Sequence, residues 1–235
     1  MEGEFSTIFQ SFQERKRSTH NQSRFTKKNG MKKASILMVI GSALLLGLFY
    51  YPLWNIKLFA PQYPEGLGMD IYIDDIVGET EFDLLNIDGL NHYVGMKTIP
   101  KVDEMIEFTV FPIVIGIMAG LGILIGIIGF TGKIKPIWFF GWLVLMVTLG
   151  LVGMYDFNLW LVDYGTNLDP NAAIKLLDSD GVPMQYNPPL IGHKKLLNFD
   201  VDSWPHTGAY IMFFGLFLVF LSYFVGKSEY KKIKS

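Results

Sequence analysis

Cysteine is absent from all 235 residues. That excludes disulfides, thiolate metal centres, covalent haem attachment through C-x-x-C-H and a cysteine nucleophile. Serine-hydrolase, P-loop and H-E-x-x-H motifs are missing too, and histidine is scarce, with four in the chain. The most telling absence is of charge. Four long runs contain no Asp, Glu, Lys, Arg or His, in a chain whose residues are half apolar and whose mean hydropathy is +0.30.

Each run is long enough to cross about 30 Å of hydrocarbon as a helix, which takes about 20 apolar residues. The expected fold is an all-α membrane protein with four transmembrane helices, carrying a small α+β extracytoplasmic cap formed by two long loops. The expected layout is a basic arm (1–33), a first span (34–55), an outer loop (56–107), a second span (108–131), a link (132–135), a third span (136–155), a second outer loop (156–206), a fourth span (207–226) and a tail (227–235).

Sidedness follows from the basic residues. The arm holds eight Lys or Arg, TGKIKP (131–136) two and the tail four, whereas the two long loops together hold six against eighteen acidic residues. The positive-inside rule puts both termini and the link in the cytoplasm and both loops outside it. The net charge of −2 conceals this polarity. A cleaved signal peptide fits the first span poorly, because the arm is long and FYYPLW offers no small-residue cleavage site. Within the arm, Phe5, Ile8, Phe9 and Phe12 recur at helical spacing before Arg15, Lys16 and Arg17. That pattern suits either a helix on an anionic membrane face or a disordered segment.

With no ionisable group inside any span, proton pumping, ion-coupled transport and voltage sensing lose their usual residues. Haem between two transmembrane histidines has no ligands. What the spans do contain is glycine. Gly116, Gly120, Gly122, Gly126 and Gly129 in the second span form overlapping small-xxx-small registers suited to close helix packing. Gly141, Gly150 and Gly153 are expected to do similar work in the third.

In the first outer loop, Pro61, Pro64, Gly66 and Gly68 read as turns. Met69, Ile71 and Ile73 then alternate with Asp70, Tyr72 and Asp74 as in a half-buried strand. A short helix capped by Asp88 or Asn91 would set His92 and Met96 on one face. In the second loop Asp169 and Pro170 read as the start of a helix, and SDGVPMQYNPPLIG as a hairpin or turn region.

Three histidines (His92, His193 and His206) and Met69, Met96, Met105 and Met184 fall in the outer loops. Imidazole and thioether donors without thiolate are what an extracytoplasmic Cu(I) site requires. The candidate metal ligands are His92, Met96, Met69 and His206; no catalytic or organic-cofactor residue stands out. The same residues also serve as packing, and His206 as an interfacial anchor. The acidic loop residues, including Asp74 and Asp75, read as a solvated face able to dock a basic partner.

The segments PLWNIKLFAPQYPEGLGMDIYI and LLNIDGLNHYVGMKTI, with the four-span layout, resemble the polytopic membrane protein encoded beside nitrous oxide reductase in bacteria of that enzyme's second clade, often called NosB. The resemblance covers about a fifth of the chain directly. It implies a non-enzymatic accessory protein of the bacterial inner membrane, with periplasmic loops, that supports maturation or copper supply of an extracytoplasmic respiratory enzyme. Its implied partners are the bilayer and other membrane or extracytoplasmic respiratory proteins, not nucleic acid. Two other readings stand beside it: a structural or adaptor subunit of a membrane respiratory complex without its own metal, and an enzyme or electron carrier using a bound cofactor.

Overall fold

The computed structural model describes residues 13–19, 31–169, 171–173, 186–196 and 199–232. Residues 13–19 are helical, and the aromatic part of the arm lies outside the described residues. Four helices are long and apolar enough to cross a membrane: α1 (Met31–Phe49), α3 (Glu107–Gly129), α4 (Ile137–Thr166) and α5 (Thr207–Lys232). Between them lie a shorter helix, α2 (Asp83–Val94), and five strands: β1 (Trp54–Ala60), β2 (Tyr63–Ile71), β3 (Ile76–Gly78), β4 (Gly192–Leu196) and β5 (Phe199–Pro205). The chain divides into two compact units, and each long helix contributes residues to both.

The first unit comprises residues 1–43, 119–144 and 215–235. Its centre is α1, whose buried positions Met31, Ala34, Ser35, Met38 and Ser42 follow the 3-4 spacing of a helix packed on neighbours along one seam. Against that seam α3 presents glycines. A Cβ built on Gly126 would stand 2.6 Å from Val39 Cγ2 and 3.1 Å from the Val39 backbone nitrogen, and one on Gly129 would crowd Ser35 and Phe139. Small residues here let two helix backbones approach closely. Gly41 makes the matching approach to α5, where an added Cβ would lie 2.5 Å from the Gly215 carbonyl oxygen. The glycines of the third span behave differently from the expectation: among the described residues nothing lies within 4 Å of a Cβ built on Gly141, Gly150 or Gly153, or on Gly120 of α3. Glycine spacing marks a possible seam, but the facing side chains decide which register is used.

The second unit comprises residues 44–118 and 145–214 and contains the sheet. Strand order is β3-β2-β1-β5-β4, antiparallel throughout. The first loop supplies three strands and the second two, so segments far apart in sequence form one sheet with β1 in the middle. The inner face follows the two-residue strand period: Trp54, Ile56 and Leu58 on β1, Met69 and Ile71 on β2, and Val201 on β5. It packs against Met154, Phe157 and Leu161, which recur at helical spacing on α4. Trp54 meets Phe157 edge to face with centroids 5.6 Å apart. Its indole N–H donates to the Ser203 hydroxyl (2.8 Å), which in turn donates to the Leu190 carbonyl (3.1 Å), so the Trp54 and Ser203 polar atoms are paired.

Several boundaries differ from the sequence reading: besides those below, α5 runs to Lys232, and the strand expected through Asp74 ends at Ile71, where Tyr72 N donates to Asp75 O (2.8 Å). The first helix ends at Phe49, where Tyr50 and Tyr51 both donate to the Gly47 carbonyl, and Trp54 already begins β1. The third helix does not stop at Tyr155: it continues through Asp156 and Asp163 to Thr166 because Phe157 and Leu161 find the sheet to pack against. Pro64, Gly66 and Gly68 are strand residues rather than turns; Gly66, at φ +86°, sits opposite the register shift between Leu58 and Ala60. The helix expected from Asp169 and Pro170 lies mostly outside the described residues.

The two chain crossings at the sheet are tied together. Pro52 O accepts from Gly208 N (2.8 Å) and Leu53 O from His206 N (2.9 Å), which joins the start of β1 to the start of α5. A Cβ on Gly208 would meet the Tyr51 carbonyl oxygen at 2.6 Å, so only glycine fits there.

Candidate functional site

On the outer face of the sheet the chain places its charged side chains. Lys57 on β1 binds Glu79 at 2.7 Å, and Asn55 donates to both Glu79 (2.8 Å) and Asp70 (2.9 Å). The Lys57 ammonium beside it holds the Glu79 carboxyl below the usual range, against the opposing effect of burial. Across β1 and β5, Lys57 pairs in register with Asp202, which in turn faces His193 on β4. The His193 ring lies between two carboxylates: Nδ1 is 2.7 Å from Asp202 and Nε2 is 3.4 Å from Asp200. Residues 200 and 202 fall on the same face because a strand alternates. The arrangement is a solvent-exposed acid–imidazole–acid row, suited to meeting a cationic group of a partner. Sequence reading missed it, since the only signal was the alternation of Asp200 and Asp202 with Phe199, Val201 and Ser203, short and adjoining a hydrophobic span.

Asp83 is the other residue that sequence reading passed over. It is 4 % exposed at the start of α2. It accepts from Gly68 N (3.0 Å), from Thr80 N (3.2 Å) and from the Thr80 hydroxyl. Strand β3 covers only part of β2, and Asp83 takes up the Gly68 N–H just beyond it. Burial pushes this carboxyl up, but the Thr80 and Gly68 hydrogen bonds, with the Lys57 charge, outweigh it and hold the group below its ordinary value.

The four metal-ligand candidates are set on separate features. His92 is exposed in the last turn of α2. Met96 does not share a helix face with it, because α2 ends at Val94 and Gly95 turns left-handed at φ +82°. Gly95 N then donates to His92 O (3.3 Å) and Met96 N to Asn91 O (2.8 Å), a glycine-dependent stop that the histidine–methionine spacing could not reveal. Asp88 and Asn91, expected to begin a helix, instead lie inside α2 and hold the segment after it: Asp88 accepts from Ile99 N (2.6 Å) and Asn91 donates to Lys97 O (3.3 Å). The Met69 side chain packs against the inner core of the sheet. His206 joins β5 to α5 through its backbone, and its Nδ1 is buried with no hydrogen-bond partner among the described residues.

Met69 and Ser203 both flank Ile56, on either side of β1. With strands about 4.8 Å apart and a rise of about 3.3 Å per residue, the Cα atoms of Met69 and His206 are roughly 14 Å apart. A single ion does not bridge these two as they stand. Among the described residues no group of three or more His, Asp or Glu is gathered as a metal site. His92 and Met96 remain the candidate donors adjacent in the chain and outside the core.

No family model, curated protein or solved structure matches the chain.

Proposed function

We propose that the chain is a non-enzymatic membrane accessory protein, with both termini and the 132–135 link in the cytoplasm and the sheet outside it. There it supports the maturation or copper supply of a respiratory copper enzyme of the nitrous oxide reductase kind. The observation that carries the membrane part is the outward surface of the long helices. Ile113, Ile117, Leu121 and Leu124 on α3, and Phe213, Phe217, Phe220 and Phe224 on α5, are large, apolar and exposed. Such faces are untenable in water and ordinary in lipid. The side assignment is supported by the basic residues of arm, link and tail. The partner class is supported by the resemblance of the first outer loop to the NosB family and by the acidic head, whose charge suits a basic docking surface.

In this reading His92 and Met96 are the donors that would meet Cu(I). Metal analysis of protein purified under reducing conditions tests it. Stoichiometric copper that disappears in His92→Ala/Met96→Ala supports the site, and copper retained in the double variant refutes it. A second reading, an adaptor subunit without its own metal, is favoured by the open α4 glycines Gly141, Gly150 and Gly153, which leave room for a partner helix. Stable stoichiometric co-purification with a membrane partner in copper-free preparations distinguishes it from the first.

A further inference from the structure

The exposed apolar rows of two long helices each run up to a tyrosine. On α5, Phe213, Phe214 and Phe217 follow Tyr210 at three, four and seven residues, so the four share a face, and Tyr210 is 61 % exposed. On α4, Leu151 and Val152 precede Tyr155 at four and three residues, and Tyr155 is 65 % exposed. Just past Tyr155 the helix takes up Asp156 and Asn158, and just before Tyr210 lie His206 and Thr207. Trp204, 51 % exposed, stands on the sheet face opposite the one that packs on α4, because Val201 and Ser203 occupy the inner face and a strand alternates.

These three rings belong to one band of the second unit. His206 N donates to Leu53 O (2.9 Å) and Gly208 N to Pro52 O (2.8 Å), which sets the start of α5 beside the connection from α1 to β1. Tyr50 and Tyr51, both exposed, lie in that connection. Trp204 pairs in register with Asn55, and the neighbouring Trp54 packs on Phe157, two residues beyond Tyr155. Measured from Trp54, Trp204 stands about 3 Å further along the sheet, whereas Tyr155 lies about 3 Å and Tyr210 about 9 Å in the opposite direction. A helical side chain leans toward its own N-terminus, which brings the Tyr210 ring back toward Trp54. The same band carries charge: Asp74 and Asp75 are exposed in the turn after Ile71, the register partner of Trp54. Exposed carboxylates exclude hydrocarbon at this depth, while the apolar rows beneath the tyrosines exclude open water below it. Two helix lengths agree. From Tyr155 back to the exposed Trp138 on α4, and from Tyr210 on to the exposed Lys227 on α5, are seventeen residues each with no Asp, Glu, Lys, Arg or His between. That is about 26 Å of helix, against about 30 Å of hydrocarbon.

From these observations we infer that Tyr50, Tyr51, Tyr155, Trp204 and Tyr210 form an aromatic girdle in the headgroup layer of the leaflet on the sheet side. The sheet then rises directly from the lipid surface, with its first row of side chains standing in that layer. The inference rests on the membrane reading above and adds a depth to it. Its occupant is phospholipid: the rings lie against the glycerol and upper acyl region, and their O–H and N–H groups face the ester and phosphate oxygens.

Because the chain has no cysteine, single substitutions Tyr155→Cys, Tyr210→Cys, Ile117→Cys and Glu65→Cys can each carry an environment-sensitive fluorophore. The labelled proteins are reconstituted in phosphatidylcholine vesicles containing doxyl lipids with the spin label shallow or deep. Trp204 is read without a label, as the fluorescence that Trp204→Phe removes. Probes at 155 and 210, and the Trp204 signal, are expected to lose fluorescence more to the shallow quencher than to the deep one. The probe at 117, in the exposed apolar row of α3, should be quenched most by the deep label, and that at 65 by neither. Probes at 155 and 210 as unquenched as that at 65, with 117 quenched, would overturn the girdle and leave the membrane reading intact. Stronger quenching of 155 and 210 by the deep label would overturn it equally, by setting the band in hydrocarbon. An unquenched probe at 117 would overturn the membrane reading itself.

Discussion

Replacing Gly126 with alanine adds one methyl group at a point where α1 and α3 approach closely. The new Cβ would stand 2.6 Å from Val39 Cγ2, 3.1 Å from Val39 N and 3.3 Å from Ser35 O. The side chain can rotate away, but the two backbone atoms yield only if the helices separate by a few tenths of an ångström. Overpacking of this kind costs about 1–3 kcal/mol. Alanine recovers about 0.5–1 kcal/mol through its better helix propensity. The net expectation is a loss of up to about 2.5 kcal/mol, at roughly 2–4 °C in melting temperature per kcal/mol for a chain of this size. Gly120→Ala is the internal control, since nothing lies within 4 Å of its added Cβ; it gains the propensity without the clash. Thermal denaturation of both variants in the same detergent should move the melting temperature down for Gly126→Ala and leave it unchanged or raised for Gly120→Ala. Equal shifts in one direction would refute the assignment of Gly126 to the seam.

Three further outcomes follow from the second unit. Asp83→Asn keeps the size but loses the ionised acceptor of three hydrogen bonds, and should cost about 1–3 kcal/mol in chemical denaturation. Because the folded carboxyl is held below its ordinary value, its contribution is complete above the unfolded value and is lost as pH falls through the folded one; stability of the wild type should therefore fall more steeply on acidification than that of Asp83→Asn, and parallel curves would contradict the assignment. Ser203→Ala leaves the Trp54 indole N–H and the Leu190 carbonyl unpaired in the core, a loss of about 1–3 kcal/mol that a melting curve followed by tryptophan fluorescence should register.

The four membrane-length helices were legible in the sequence because a bilayer imposes a long, uninterrupted apolar run, and charge ends it abruptly. The sheet was only partly legible. Met69 and Ile71 alternate visibly, but Trp54 and Asn55, the first residues of β1, fall within the expected first span, and β5 runs up to the start of α5. What makes these segments strands is their pairing with each other across more than a hundred residues, a tertiary fact with no local signature. The same reason hides the His193 row, whose members meet only once β4 lies against β5. The His92–Met96 spacing misled in the opposite direction: it matches one helical turn, while Gly95 between them supplies the left-handed stop that ends the helix. Glycine in the spans was informative about packing in general; the choice of Gly122, Gly126 and Gly129 over Gly120 depends on where Ser35, Val39 and Ser42 fall on α1.

The proposed topology sets the sheet and the two termini on opposite sides of a bilayer. Glu65→Cys, in the exposed part of β2, and Ser228→Cys, near the end of α5, are each the sole thiol of their chain. Treated with a membrane-impermeant maleimide on intact cells or spheroplasts, the first should label at once and the second only after permeabilisation. Labelling of Ser228→Cys from outside, with Glu65→Cys protected, would contradict the account.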